Sequence, residues 1–153
     1  MSVLKEQAEV LRVGLVAGFR TTGDAVKWAD SIIAAEPKPD ISLINVALAS
    51  SRSAAEVSSL LGDVPGSCER VEVMRGVLSE FLHLVDQDPQ RADDVARWLY
   101  LLSVNGDLPD EPFGWEANAL DDTFDLARRT IIPREEAIRQ LVTFLRRESR
   151  PAT

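Results

Sequence analysis

The sequence predicts an all-α protein of about eight helices in antiparallel hairpins, packed as a bundle or a short solenoid-like array. Three observations carry that expectation. Apolar residues recur three and four positions apart along nearly the whole chain, the pattern of a helix with one buried stripe. Prolines, glycines and cap-forming residues interrupt the pattern at helix-length intervals. No stretch alternates apolar and polar residues between hairpin-type turns. A chain of 153 residues can bury a core of its own. No internal repeat of fixed period stands out, so a single helical domain over residues 1–153 is expected, with its last few residues disordered.

The elements follow in order. Leu4, Ala8, Leu11, Leu15 and Phe19 form the first apolar stripe. The stretch "RTTGD" ends it and offers Thr22 as the next N-cap. Val26, Ala29, Ile32 and Ile33 make the second stripe, which the prolines of "EPKPD" terminate. Asp40 opens a short third helix through "ISLINVALAS", and Ser53 with Glu56 forms a capping box for a fourth, closed by Gly62. "GDVPGS" is a turn, after which Ser67 can cap a long fifth helix. That helix should bury Val71, Met74, Leu78, Phe81, Leu82 and Val85. Asp88-Pro89 starts a sixth helix that stops at Gly106. Beyond the loop "DLPDEPFG" a seventh spans about 115–129, and Pro133 begins an eighth with Ile138, Leu141, Val142 and Leu145 inside.

Charge narrows the possible partners. Lys+Arg 17 against Asp+Glu 25 leaves a formal net charge of −8. Such a surface repels nucleic acid and anionic membranes and favours basic partners, although net charge also simply keeps a protein soluble. The distribution is uneven. Residues 1–125 hold 10 basic and 22 acidic side chains, whereas residues 126–153 hold seven arginines against three glutamates. Between Arg97 and Arg128 there are seven acids and no basic residue. The lone Cys68 leaves no internal disulfide to form, and "MSVLKEQAEVLRVGL" has charges too early for a signal peptide or a membrane span. A cytoplasmic location is expected.

Groups able to do chemistry are scarce. The one histidine, His83, sits between Leu82 and Leu84 with no acid–base or metal-binding partner nearby in sequence, so it reads as a boundary residue. Cys68, near a helix start, can have a lowered pKa there but lacks a second cysteine or a close histidine. No phosphate-binding glycine loop, nucleophile elbow or zinc spacing occurs. Gly14 and Gly18 are spaced for close helix packing. No catalytic residue and no cofactor are expected.

The most unusual stretch is "WEANALDDTFD", residues 115–125, with four carboxylates and no base. Asp121, Asp122 and Asp125 could hold Mg²⁺, as in an all-α magnesium-dependent hydrolase. Such sites need a second acidic cluster opposite the first, and neither Asp93-Asp94 nor Glu135-Glu136 has the third acid to match. At 100° per residue Ala117, Leu120, Phe124 and Ala127 share one face, which points to the core. Trp115, Asn118, Asp121, Asp122 and Asp125 share the other. With Asp110 and Glu111 beside them, these residues are the candidate surface for a basic protein partner, an aromatic anchor ringed by charge. Alternatively, Trp115 folds back onto Phe113.

Residues 14–66, "GLVAGFRTTGDAVKWADSIIAAEPKPDISLINVALASSRSAAEVSSLLGDVPG", show a helix, a G-x-x-T break, "KWADSII", an acidic and proline-rich turn and a short "LINVAL" helix. This order resembles the small helical immunity proteins of bacterial polymorphic toxin systems. The matching residues are Gly18, Thr21, Trp28, Ala29, Asp30, Ile33, Leu43, Ala47 and Leu48, and the likeness extends to "ARWLYLLSVNGDLP" and "LDDTFDLARR". The resemblance implies an antidote that binds a secreted or injected toxin domain and neutralises it without catalysis. A general helical scaffold or interaction protein is the alternative.

Overall fold

A computed structural model describes residues 2–149. The expected disorder of the last few residues, and Arg150 among the seven arginines, lie outside them. Among the described residues the chain is all-α, with nine α-helices, a 3₁₀ turn and no strand. They are α1 (Val3–Ala17), α2 (Thr22–Ala35), α3 (Ile41–Ala47), α4 (Ala54–Gly62), α5 (Arg70–Gln87), α6 (Ala92–Val104), α7 (Asp110–Phe113), α8 (Glu116–Arg128) and α9 (Arg134–Glu148). The ninth element beyond the eight expected is α7, a single turn inside the loop "DLPDEPFG". No helix among the described residues is long and apolar enough to cross a membrane. The chain divides into two compact units, one through Val73 and one from Met74.

In the first unit α1 packs on α4, and α3 packs on both α2 and α4. The stripe read from the sequence is the one buried: Ala8, Leu11 and Leu15 meet Ala25, Ala29, Leu43, Val46, Val57 and Leu61 in one core, with Leu4, Ile32 and Ile33 at its edge. Local chemistry sets the helix ends. Ser2 caps α1, Asp40 caps α3 by accepting from the Ser42 N–H at 2.9 Å, and Ser53 with Glu56 completes the expected capping box of α4. The cap of α2 is Thr21 rather than Thr22, because Thr21 has Asp24 three residues on to close a second box.

Gly14 has a different use from the one its spacing suggests. Its carbonyl accepts from the N–H groups of Gly18, Phe19 and Arg20, and a Cβ on it would collide with the Arg20 side chain. The chain doubles back onto the end of its own helix, with Gly18 in the left-handed region at φ 94°. The glycine makes room for the turn, not for a neighbouring helix. Likewise Ser67 does not cap α5, which begins at Arg70; the Ser67 carbonyl accepts from the Ser2 N–H at 2.9 Å instead.

In the second unit α8 lies against both α6 and α9. Phe81 of α5 stacks on Trp98 of α6 with ring centroids 5.8 Å apart, and Met74, Val77, Leu78 and Val85 are buried along the same helix. Val71 and Leu82, expected inside, are half-buried. Asp88 accepts from the Gln90 N–H as a cap should, but the proline opens a 3₁₀ turn, Pro89–Arg91, before α6 begins. From α9 the buried residues are Ala137, Leu141, Phe144 and Leu145, so Phe144 takes the interior place expected of Ile138 or Val142.

Candidate functional site

The helix that carries "WEANALDDTFD" is amphipathic in the orientation the sequence implies. Ala117, Leu120 and Phe124 of α8 are buried and Ala127 is half-buried. Trp115 occupies the N-cap position with no side-chain capping bond, and the residue is 73% exposed. It does not fold back onto Phe113, which is buried beneath the Arg75 guanidinium, 5.7 Å from the ring centroid. An indole left this open to water has no packing role of its own.

The acids divide into two groups. Asp121 is half-buried, and Arg97 of α6 donates to it at 3.2 Å. Asp125 lies 3.7 Å from Arg128 and 3.4 Å from Arg129, one turn along its own helix. Glu116 accepts from Arg147 of α9 at 3.2 Å. By contrast Asp110, Glu111 and Asp122 are exposed and form no ion pair with any described residue. Asn118 is half-buried rather than open, and its Oδ1 is enclosed without a hydrogen-bond partner. Of the seven residues on the expected face, Trp115, Asp110, Glu111 and Asp122 are therefore the exposed ones whose side chains are not engaged within the described chain. Trp115 and Asp122 are seven residues apart, two helical turns, and so share one stripe with the exposed Ala119 and Leu126.

One of the arginines that neutralise the other acids, Arg128, also bonds to a second helix. Asp93 of α6 accepts from both Arg128, at 2.9 Å, and Arg134. Arg134 also donates to the Pro89 carbonyl at 3.2 Å and lies over the Phe124 ring. One aspartate thus ties the last residue of α8 to the first residue of α9. Nothing local announces these bonds, because the partners stand 24 to 41 residues apart. The only available signal was global: seven arginines following an acid-rich, base-free span.

Between α8 and α9 runs a groove of about 310 Å³ lined by Glu116, Ala119, Thr123, Arg139, Thr143 and Arg147. Its two cations are already engaged. Arg139 is held above its ordinary pKa by its hydrogen bond to Glu136, and Arg147 by Glu148 first and Glu116 second. Among the described residues no three His, Cys, Asp or Glu side chains come together in a way that could hold a metal ion. Asp121 and Asp125 turn towards arginines rather than towards a shared point. His83 is exposed on α5. Cys68 is half-buried, and its thiol is pushed above its ordinary value, first by desolvation and then by Glu9. The lowering that a nearby helix start can bring is therefore not seen at Cys68.

No protein-family profile, curated protein or solved structure matches this chain.

Proposed function

We propose that this chain is a non-catalytic protein-binding domain that neutralises a cognate bacterial toxin by direct contact, with the Trp115 face as its binding surface. The observation that carries the reading is the exposed indole of Trp115, with three exposed acids within seven residues of it in sequence, Asp110, Glu111 and Asp122, that no described cation neutralises. A partner with a pocket for the ring and basic residues around it would gain apolar burial at the centre and charge complementarity at the rim. Asp121, Asp125 and Glu116 support the rim less directly. Their arginine partners are half-exposed, with side chains 50–68% accessible. Surface pairs of this kind contribute only about 0–1 kcal/mol, so a partner's cation can take their place at little cost. Steering by the net charge of −8 would speed encounter with a basic toxin.

The test is co-expression with the toxin domain encoded beside this gene, scoring survival. Wild type should protect, and Trp115→Ala should protect poorly while remaining helical by circular dichroism. Full protection by a folded variant combining Trp115→Ala with Asp122→Lys would place the contact elsewhere. If no toxin is encoded nearby and the protein retains no basic protein from its own lysate, the toxin-neutralising reading fails.

A further inference from the structure

A second apolar surface lies in the first unit and, unlike the Trp115 face, is lined by balanced charge. On α3, Ile41 is 65% exposed and Leu48, at the helix C-cap, is 76% exposed. They are seven residues apart, so they project from one side of the helix, with the exposed Asn45 between them. Beside this stripe a groove of about 380 Å³ separates α3 from α4, lined by Asn45, Leu48, Arg52, Glu56, Ser59 and Leu60. The core of the unit is complete without these residues: Leu43 and Val46 face inward from α3, and Val57 and Leu61 from α4. Ile41 and Leu48 are therefore surplus to folding.

We infer that this groove is the contact surface between two copies of this chain. The argument is one of charge. The groove carries one cation and one anion, Arg52 and Glu56, bonded to each other at 3.0 Å and both more than half exposed. Its net charge is zero, so it offers neither attraction to a basic partner nor repulsion to an acidic one. A surface that matches an adjacent plus and minus presents them in reversed order, and a two-fold axis produces that from the same surface. Arg52 of one copy then meets Glu56 of the other, twice, around apolar contacts made by Leu48 and Ile41. Self-association at Trp115 would instead bring Asp110, Glu111 and Asp122 against their own copies. In a molecule of net charge −8, two copies meet with least repulsion where the local charge already cancels.

Light scattering and sedimentation across a concentration series would test this, on the full chain with no partner present. A contact of this modest size should dissociate in the range of roughly micromolar to millimolar, so the mass should climb towards twice that of one chain as concentration rises. Leu48→Asp should hold the protein at one chain throughout, with its helical signal intact because Leu48 is outside the core. Arg52→Glu alone should weaken association at least about tenfold by setting like charges opposite each other. Arg52→Gln, which removes the charge without reversing it and leaves the capping box of Ser53 and Glu56 intact, should weaken association less. A wild type that stays at one chain over the whole series overturns the proposal. So does an association that survives Leu48→Asp, or one indifferent to Arg52→Glu. Trp115→Ala, which tests the toxin-binding reading, should leave self-association unchanged.

Discussion

The Trp115 face and the α3–α4 groove both expose a large apolar side chain on a helix that already buries its opposite side. They differ in what surrounds that side chain. Around Trp115 the acids outnumber the bases that reach them, and Asp110, Glu111 and Asp122 remain unpaired with any described residue. In the groove Arg52 and Glu56 close on each other. Exposed apolar area alone does not say what a surface binds; the unpaired charge at its edge selects the partner. On that ground we propose a basic protein for the first surface and a second copy of the chain for the second.

The largest effect should come from neither surface. Phe124 is fully buried on the inner side of the helix that follows Trp115, with the Arg134 guanidinium 5.9 Å from its ring centroid. Phe124→Ala should cost about 3–5 kcal/mol of unfolding free energy, measured by urea denaturation, whereas Leu48→Ala should stay within about 0.5 kcal/mol. Similar costs for the two would mean that the groove is part of the core after all.

Trp115→Ala comes next. It should leave the urea midpoint almost unmoved and weaken binding to the toxin domain by about 2–4 kcal/mol, roughly thirtyfold to a thousandfold. The loss should appear chiefly as faster dissociation, as expected when an anchor is removed from its pocket. Reversing two unpaired acids, Glu111→Lys with Asp122→Lys, should instead slow association on the order of tenfold at low salt, an effect that fades as salt is raised. If both changes acted on the same rate constant, the distinction between anchor and rim would be lost.

How much of this was legible beforehand depends on the distance over which each interaction acts. The helices, the boxes at Ser53 and Glu56, the cap at Asp40 and the inward face of α8 all arise from residues within a few positions of one another, and sequence patterns report such spacings directly. The expected seventh helix matches α8 within a residue of its ends. The wheel put Trp115 on the polar face but left packing onto Phe113 open, and only the structure shows the residue exposed. The state of the acids was not legible. Asp121 looks identical to Asp122 in sequence, yet one meets Arg97 of another helix and the other meets water. Asn118 fell on the polar face of the wheel but lies half-buried, because an ideal wheel ignores the neighbouring helices. Leu48 was placed inside a helix pattern and proved to be its exposed end, since α3 stops at Ala47. Ends of short helices are decided by tertiary packing more than by propensity.

The smallest predicted effect concerns acid. Asp40 caps α3, the helix that forms one wall of the groove, and its carboxylate accepts from both the Oγ and the N–H of Ser42, at 2.7 and 2.9 Å. The hydroxyl bond first and the backbone bond second hold its pKa below the ordinary value of 3.8, against a smaller opposing push from burial. A carboxyl group whose folded value is depressed contributes stability that is fully present above the unfolded value and lost as pH falls through the folded one. The difference in urea midpoint between wild type and Asp40→Ala should therefore be constant from neutral pH down to the ordinary carboxylate range, then shrink as the pH drops below 3.8. Thr21→Ala removes a neutral side-chain cap from α2, so its cost of about 1 kcal/mol should change much less over the same interval. That contrast separates loss of the cap's charge from general acid weakening of the unit. If the Asp40→Ala difference instead grew on acidification, the carboxylate would be destabilised in the folded state, and the cap would not be what sets the start of α3.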